Sequence, residues 1–245
     1  MTARFQAFRD LHDGENIFVL ANAWDVGSAR MLKALGYEAL ATTSAGAAFV
    51  AGRMDGAGVI PREVALDHAR DLVGATDLPV SADLEDGFGA APEDVAETIR
   101  AAAAIGLAGC SIEDTTGDPD QPIFQFDRAV ERIEAAVAVV KSLDRPFILT
   151  ARAENFSYGR PDIKDTIARL EAFEACGADV LYAPELPDLD AVRSICGAVS
   201  KPVNVVAGLG LPHEITLADL AEAGVKRMTL GSSLARVAIG AMLRA

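Results

Sequence analysis

The chain has 245 residues, the length of one large α/β domain with short connections, and 51% of them are hydrophobic. The apolar runs are about five or six residues long, bounded by Gly, Pro, Asp or Arg, well short of the roughly 20 that a membrane helix needs. With 36 acidic against 22 basic side chains and a formal charge of -14, the chain would repel a phosphate backbone, which argues against nucleic acid as a partner; a small anionic substrate must be captured locally, by a few Arg residues, backbone amides or a metal.

Met1 to Asp10 sets Arg4, Arg9 and Asp10 around Phe5 and Phe8, without the continuous apolar stretch of a signal peptide, so a cytoplasmic protein is expected. The first strand candidate is Ile17 to Ala21, followed by a helix with Ala29, Leu32 and Leu35 on one face. Ala39 to Thr43 is the second strand and Val80 to Ala82 the third. The helix after it opens on Pro92, Glu93 and Asp94, a proline suited to a first turn with acids facing the helix dipole. Gly109 to Ile112 is strand four, and Asp127 is the expected N-cap of the helix that follows. Phe147 to Ala151 and Val180 to Ala183 are strands five and six, with Asp188 as the next N-cap. Val203 to Val206 precedes a helix capped by Thr216, and Arg227 to Leu230 is strand eight. Eight consecutive βα units, without a linker or composition shift, predict a single (β/α)8 TIM barrel over residues 1–245 in preference to an open doubly wound sheet.

In a parallel barrel the reactive side chains project from the C-terminal strand ends. Those ends are polar: Asn22, Ser44, Asp83 with Glu85 and Asp86, Glu113 with Asp114, Arg152 with Glu154, Glu185, Asn204 within strand seven, and Ser232 with Ser233. Carboxylates converging on one rim repel one another unless a cation sits among them, and oxygen ligands without nearby His or Cys favour Mg2+ or Mn2+ over zinc. Solvated loop residues or N-caps are the alternative for Glu85, Asp86, Asp114 and Glu154. Arg152 can clamp a carboxylate or phosphonate in two-pronged fashion, or else form a structural ion pair with Glu113 or Glu154. Gly208, Gly210 and the pair Gly231 and Ser232 lie where many barrels hold a phosphate; ordinary turn glycine is the expectation. The lysines fall in helices or before strands, so none is placed for a Schiff base. His12 and His68 read as structural, and His213 as a surface or core residue. Cys110, Cys176 and Cys196 are widely spaced and read as reduced core thiols rather than catalytic ones.

Four stretches carry a resemblance along nearly the whole chain: Asn22-Ala23-Trp24-Asp25 with Ser28-Ala29-Arg30; Thr43-Ser44-Ala45-Gly46; Asp83-Leu84-Glu85-Asp86-Gly87-Phe88-Gly89; and Ile112-Glu113-Asp114 followed by Ala151-Arg152. In order and spacing they resemble the isocitrate lyase and phosphoenolpyruvate mutase superfamily. That resemblance implies Mg2+ held by Asp83 directly and by Asp55, Glu85 and Glu113 through water. It implies that Ser44, with the backbone amides of Ala45 and Gly46, binds substrate oxygens, and that Arg152 binds the anionic group. Arg152, Glu113 and Ser44 are thus the catalytic candidates, and Asn204 joins Ser44, Ala45, Gly46 and Arg152 as a substrate-binding candidate. The stretch Asp114 to Phe124, where the superfamily's lyases carry a catalytic Cys and its phosphonopyruvate enzymes a Lys and an Asn, has no Cys, Lys, His or Asn here.

The expected activity is a Mg2+-dependent lyase acting on a small 2-oxo or 2-hydroxy di- or tricarboxylate, with carbon-carbon cleavage through an enolate. The alternatives are phosphorus-carbon chemistry on a phosphonate, hydrolysis or decarboxylation of oxaloacetate, and a non-catalytic barrel that binds a dicarboxylate. The resemblance also implies a homodimer or homotetramer exchanging the last helix, about Ser232 to Leu243.

Overall fold

The computed structural model describes residues 2–55, 59–208 and 210–245. Along the chain run α1 (Thr2–Asp13), β1 (Phe18–Asn22), α2 (Val26–Ala34), β2 (Leu40–Ala41), α3 (Ser44–Val50), α4 (Arg62–Ala75), β3 (Val80–Asp83), α5 (Pro92–Ala104) and β4 (Gly109–Glu113). There follow α6 (Phe126–Ser142), β5 (Ile148–Arg152), α7 (Ile163–Cys176), β6 (Val180–Tyr182), α8 (Leu189–Ala198), β7 (Val203–Val206), α9 (Leu217–Glu222), β8 (Arg227–Thr229) and α10 (Ser233–Arg244). The strands pair in parallel, each with the next, and β8 closes on β1 through Phe18 opposite Arg227 and Leu20 opposite Thr229. This is the (β/α)8 barrel that the alternating pattern predicts.

Local chemistry sets the helix starts. Asp25 accepts from the Ser28 amide at 2.6 Å while the Ser28 hydroxyl accepts from the Asp25 amide, a reciprocal cap that launches α2. Asp188 caps α8 and Thr216 caps α9, as their side chains suggest, and Pro92 occupies the first turn of α5. Two expectations need correction. Asp127 is not a cap but lies in the first turn of α6, whose cap position is held by Gln125 without a side-chain bond. Leu35 is 75% exposed because α2 has already ended there, so only Ala29 and Leu32 of that trio are buried.

The main core lies between the strands and the surrounding helices. A second, smaller cluster forms where α1 folds across the barrel bottom: Phe5, Phe8 and Leu11 pack on Phe18, Leu20, Ala39, Ala108, Ile148 and Val180. Burying each large side chain of this plug stabilises the fold by about 1.5–3 kcal/mol. No described helix is long and apolar enough to cross a membrane.

Candidate active site

Side chains alternate along a strand, so residues two apart share the barrel interior. Here that interior is polar where many barrels fill it with branched aliphatics: Ser81 and Asp83 on β3, Ser111 on β4, Arg152 on β5, Tyr182 on β6, Asn204 on β7, and Arg227 and Thr229 on β8 all line one cavity of about 180 Å³. Asn22, Ser44, Ala45, Asp55, Gly231 and Ser232 form its mouth. Beside it an adjoining cleft is lined by Glu85, Glu113, Glu154, Tyr158 and Glu185 together with Asp55, Ser44 and Arg152.

Arg152 is the hub of the mouth. Its Nη1 lies 2.9 Å from Asp83 Oδ1, its Nη2 3.0 Å from Glu113 Oε2 and its Nε 2.8 Å from Glu154 Oε1. The guanidinium also sits over the Tyr182 ring, 5.0 Å from its centroid. Burial alone would lower the Arg152 pKa, but Glu113, Glu154 and Asp83 together raise it well above its ordinary value. Asp83 is held from the other side by the Ser44 hydroxyl at 2.8 Å and the Ser44 amide at 3.2 Å. Glu113 accepts from the Thr115 hydroxyl at 2.8 Å. Burial pushes the Glu113 carboxyl up to about 8, Arg152 opposing and Glu154 and Asp83 adding to the rise.

The acidic loop after β3 is shaped by its backbone. Glu85 and Phe88 adopt left-handed φ values of 48° and 60°, conformations that cost a non-glycine residue energy and that tertiary contacts must enforce. The Glu85 carbonyl accepts from the Glu113 amide at 2.9 Å, and buried Arg132 donates to the carbonyls of Asp86 and Gly89. Glu85 is thereby buried at the mouth, whereas Asp86 lies outside both the cavity and the adjoining cleft.

The sequence-derived site residues therefore meet, with three adjustments. Among the described residues no three His, Cys, Asp or Glu side chains form a ready metal cluster; Asp83, Glu85, Asp55 and Glu113 line the mouth, but the Arg152 guanidinium stands between Asp83 and Glu113. The two-pronged clamp expected of Arg152 is occupied by carboxylates of the chain itself, the ion-pair alternative extended to three partners. The Gly46 amide donates to the Thr43 hydroxyl at 3.3 Å, and the Ser44 hydroxyl and amide both donate to Asp83, so two of the three substrate-binding candidates on this turn already have partners within the chain. A Cβ at Gly46 would lie 2.5 Å from Thr43 Cγ2 and 2.8 Å from Trp24 Cβ, so the glycine is needed where α3 packs on the loop after β1.

Other residues resolve towards structure. Asp114 caps the Glu154 amide at 2.8 Å and pairs with Arg169 at 2.9 Å. The amides of Leu230 and Gly231 both donate to Asn22 Oδ1 at 2.9 Å, and Gly208 and Gly210 have φ values of 82° and 78°, which fits turn glycines rather than a phosphate cradle. His213 is exposed, and none of the three cysteines lines the cavity. Glu154, 2% exposed on Arg152, and Tyr182 are site residues that the strand-end reading underrated or missed. So is Arg227, which sits at the N-terminal end of its strand but reaches into the cavity.

The profile of the phosphoenolpyruvate phosphomutase family matches residues 8–245. The chain belongs to that family. A crystal structure of a candidate lyase/mutase from Burkholderia cenocepacia J2315 superposes with a TM-score of 0.96 at 54% identity, covering 100% of this chain and 86% of that one. An oxaloacetate decarboxylase of Paraburkholderia xenovorans is 30% identical over 98% of this chain and 80% of its own length. A 2-methylisocitrate lyase of Escherichia coli is 26% identical over 81% of this chain and 68% of its own. The chain is thus an enzyme of the isocitrate lyase and phosphoenolpyruvate mutase superfamily, whose members include lyases and mutases.

Proposed function

We propose that the enzyme is a divalent-cation-dependent lyase that breaks a carbon-carbon bond in a small 2-oxo or 2-hydroxy acid, on the observation that Asp83, Glu113 and Glu154 share one guanidinium beside the Ser44 hydroxyl. With the Glu113 carboxyl raised enough to keep its proton near neutral pH, Asp83 and Glu154 against the one guanidinium still leave the mouth short of positive charge. Hard oxygen donors with that deficit fit Mg2+ or Mn2+, with Asp83 as direct ligand and Asp55, Glu85 and Glu113 through water. When bound, the cation supplies electrophilic stabilisation of the negative charge that develops on the substrate oxygens.

The chain's own residues do the remaining work. Ser44 Oγ and the Ala45 amide orient the substrate oxygens, and Arg152 holds Asp83 and Glu113 in place while adding a fixed positive charge. Glu113, its carboxyl raised by burial, keeps a proton near neutral pH and is the acid-base group of the mouth. A second reading, decarboxylation of oxaloacetate, is favoured by the likeness to an oxaloacetate decarboxylase over 98% of the chain and by the lack of Cys, Lys, His and Asn from Asp114 to Phe124. The reading includes a cytoplasmic location and a homo-oligomer, the latter supported by Val237, Met242 and Leu243 of α10, which are 66%, 69% and 79% exposed.

The test is a panel of 2-oxo acids and phosphonopyruvate incubated with Mg2+ or Mn2+, scored for pyruvate, glyoxylate and oxalate, with calorimetry of metal binding in parallel. Asp83→Ala is expected to abolish metal binding and turnover. Metal affinity unchanged by that substitution, or no turnover across the panel, overturns the reading.

A further inference from the structure

The Asn204 amide stands in the cavity wall with a fixed sense. It is buried on β7, in register with Arg227 on β8. Arg227 Nε donates to Asn204 Oδ1 at 2.7 Å, and Asn204 Nδ2 donates to Thr229 Oγ1 at 3.1 Å. A guanidinium can only donate, so the amide atom that faces it must be the oxygen, and the nitrogen must face the other way. Thr229 lies two residues further along β8, on the same interior face and nearer the mouth. Nδ2 carries two hydrogens, and Thr229 is the one acceptor it meets among the described residues. One N–H is therefore left for whatever occupies the cavity that Asn204 lines.

Arg227 is itself braced on three sides. Its Nη2 donates to Thr150 Oγ1 at 2.9 Å and its Nη1 to His12 Nε2 at 3.1 Å, so β7, β5 and α1 each hold one arm of the guanidinium. His12 is fixed in turn, its Nδ1 donating to the Phe8 carbonyl at 2.7 Å, and burial keeps the ring neutral so that Nε2 can accept. Two donor chains thus start at Arg227, one through His12 to Phe8 and one through Asn204 to Thr229. Neither can reverse without setting one buried donor against another. All three partners of the guanidinium are neutral, so no described carboxylate competes with the Asn204 oxygen for Nε. Without that donor the amide is free to turn over, and its oxygen would then face a ligand oxygen, acceptor against acceptor.

We propose that Arg227 is a positioning residue, which holds the Asn204 amide so that its N–H meets an acceptor oxygen of the substrate, and which acts through Asn204 rather than on the substrate itself. The wall at Asn204 then selects an ionised or carbonyl oxygen at that point and disfavours a donor group. The proposal rests on the preceding reading only for the presence of an oxygen-rich substrate; the donor sense of Asn204 follows from its two partners alone.

The experiment is a double-mutant cycle on the full-length chain, read by calorimetry of oxalate binding with and without Mg2+, for wild type, Asn204→Ala, Arg227→Met and the double variant. Oxalate serves as a planar set of acceptor oxygens. Each single substitution is expected to weaken oxalate binding by about ten-fold, and the double variant by no more than Asn204→Ala alone. A loss that Arg227→Met still causes in the Asn204→Ala background overturns the proposal, since the arginine would then act on the ligand directly or through the fold at large. So does an Arg227→Met affinity within about two-fold of wild type. NMR of asparagine labelled at the side-chain nitrogen reads the orientation itself, the Asn204 signal being assigned among four asparagines by its loss in Asn204→Ala. In wild type its protons are expected to contact the Thr229 methyl and to shift with oxalate, and in Arg227→Met to do neither. If that variant does not fold, the wild-type signal decides: protons that contact Thr229 and move with oxalate support the proposal, and protons that oxalate leaves unmoved overturn it. A wild type that binds no oxalate overturns both readings. Otherwise they fail separately. Binding that needs no Mg2+ but keeps the non-additive cycle removes the cation and retains the role of Arg227, whereas Mg2+-dependent binding with an additive cycle does the reverse.

Discussion

Arg227 is buried and Arg152 largely enclosed inside one barrel, yet their surroundings are opposite. Arg152 faces three carboxylates at 2.8–3.0 Å, while Arg227 faces an amide, a hydroxyl and an imidazole. The first is an internal counter-charge that lets acids crowd the mouth; the second is a positive charge that the protein leaves unneutralised. Burial gives little clue to the difference, since both are enclosed. What separates the two is whether the chain has provided its own anions.

The widest separation should come from one substitution made at both positions. Arg152→Met strands three carboxylates and is expected to cost about 3–5 kcal/mol, the usual cost of breaking a buried ion pair by removing one partner. Arg227→Met loses hydrogen bonds to Asn204, Thr150 and His12 but also relieves a buried charge that has no carboxylate partner, so its net cost is expected to be smaller than that of Arg152→Met. Urea unfolding in chelator measures both. Equal costs would remove the distinction.

A smaller effect reports on the mouth alone. The Glu113 carboxyl is raised from 4.5 to about 8, so the folded state holds a proton that the unfolded chain releases. Stability therefore falls as pH rises from about 4.5 through about 8, by at most about 1.4 kcal/mol per pH unit. Glu113→Gln has no proton to release and should flatten that decline, matching wild type near pH 5 and exceeding its stability near pH 9. A variant whose stability falls in parallel with wild type would show that Glu113 is ionised in the folded state.

How much of this was legible in the sequence follows from which periodicity carries each residue. The strands are found within a residue or two because their β-branched runs sit between turn residues, and period two then places Ser81 with Asp83 and Ser111 with the mouth. Asp188 and Thr216 are legible as caps because their own side chains do the capping. Asp127 is misread because α6 starts on Gln125 without a side-chain cap. Arg227 is hidden for a different reason. A residue at the N-terminal end of a strand is assigned to the stable face of the barrel, but the arginine at 227 is long enough to rise a full layer. His12 precedes β1 in sequence and meets β8 because α1 folds across the barrel bottom, a contact between residues 215 positions apart.

The last prediction tests the neutrality of His12, which lies against Arg227. His12 Nδ1 must carry the proton, because it faces a carbonyl that can only accept, and Nε2 must be bare to accept from Arg227. Its pKa is lowered from 6.5 to about 3, chiefly by burial and next by Arg227, so the folded state refuses a proton that the unfolded chain takes up. The stability this contributes is fully present above about pH 6.5 and is lost as pH falls towards about 3, the opposite sign to Glu113. Gln can reproduce both hydrogen bonds, its amide donating to Phe8 and its carbonyl accepting from Arg227, and it does not titrate. Between about pH 6.5 and 5, wild type should lose about 2 kcal/mol more than His12→Gln, with carboxylates common to both cancelling in the comparison. Urea unfolding at a series of pH values measures it. Parallel curves would mean that His12 is protonated beside Arg227, in which case two positive charges would lie in contact inside the barrel and the contrast with Arg152 would have to be redrawn.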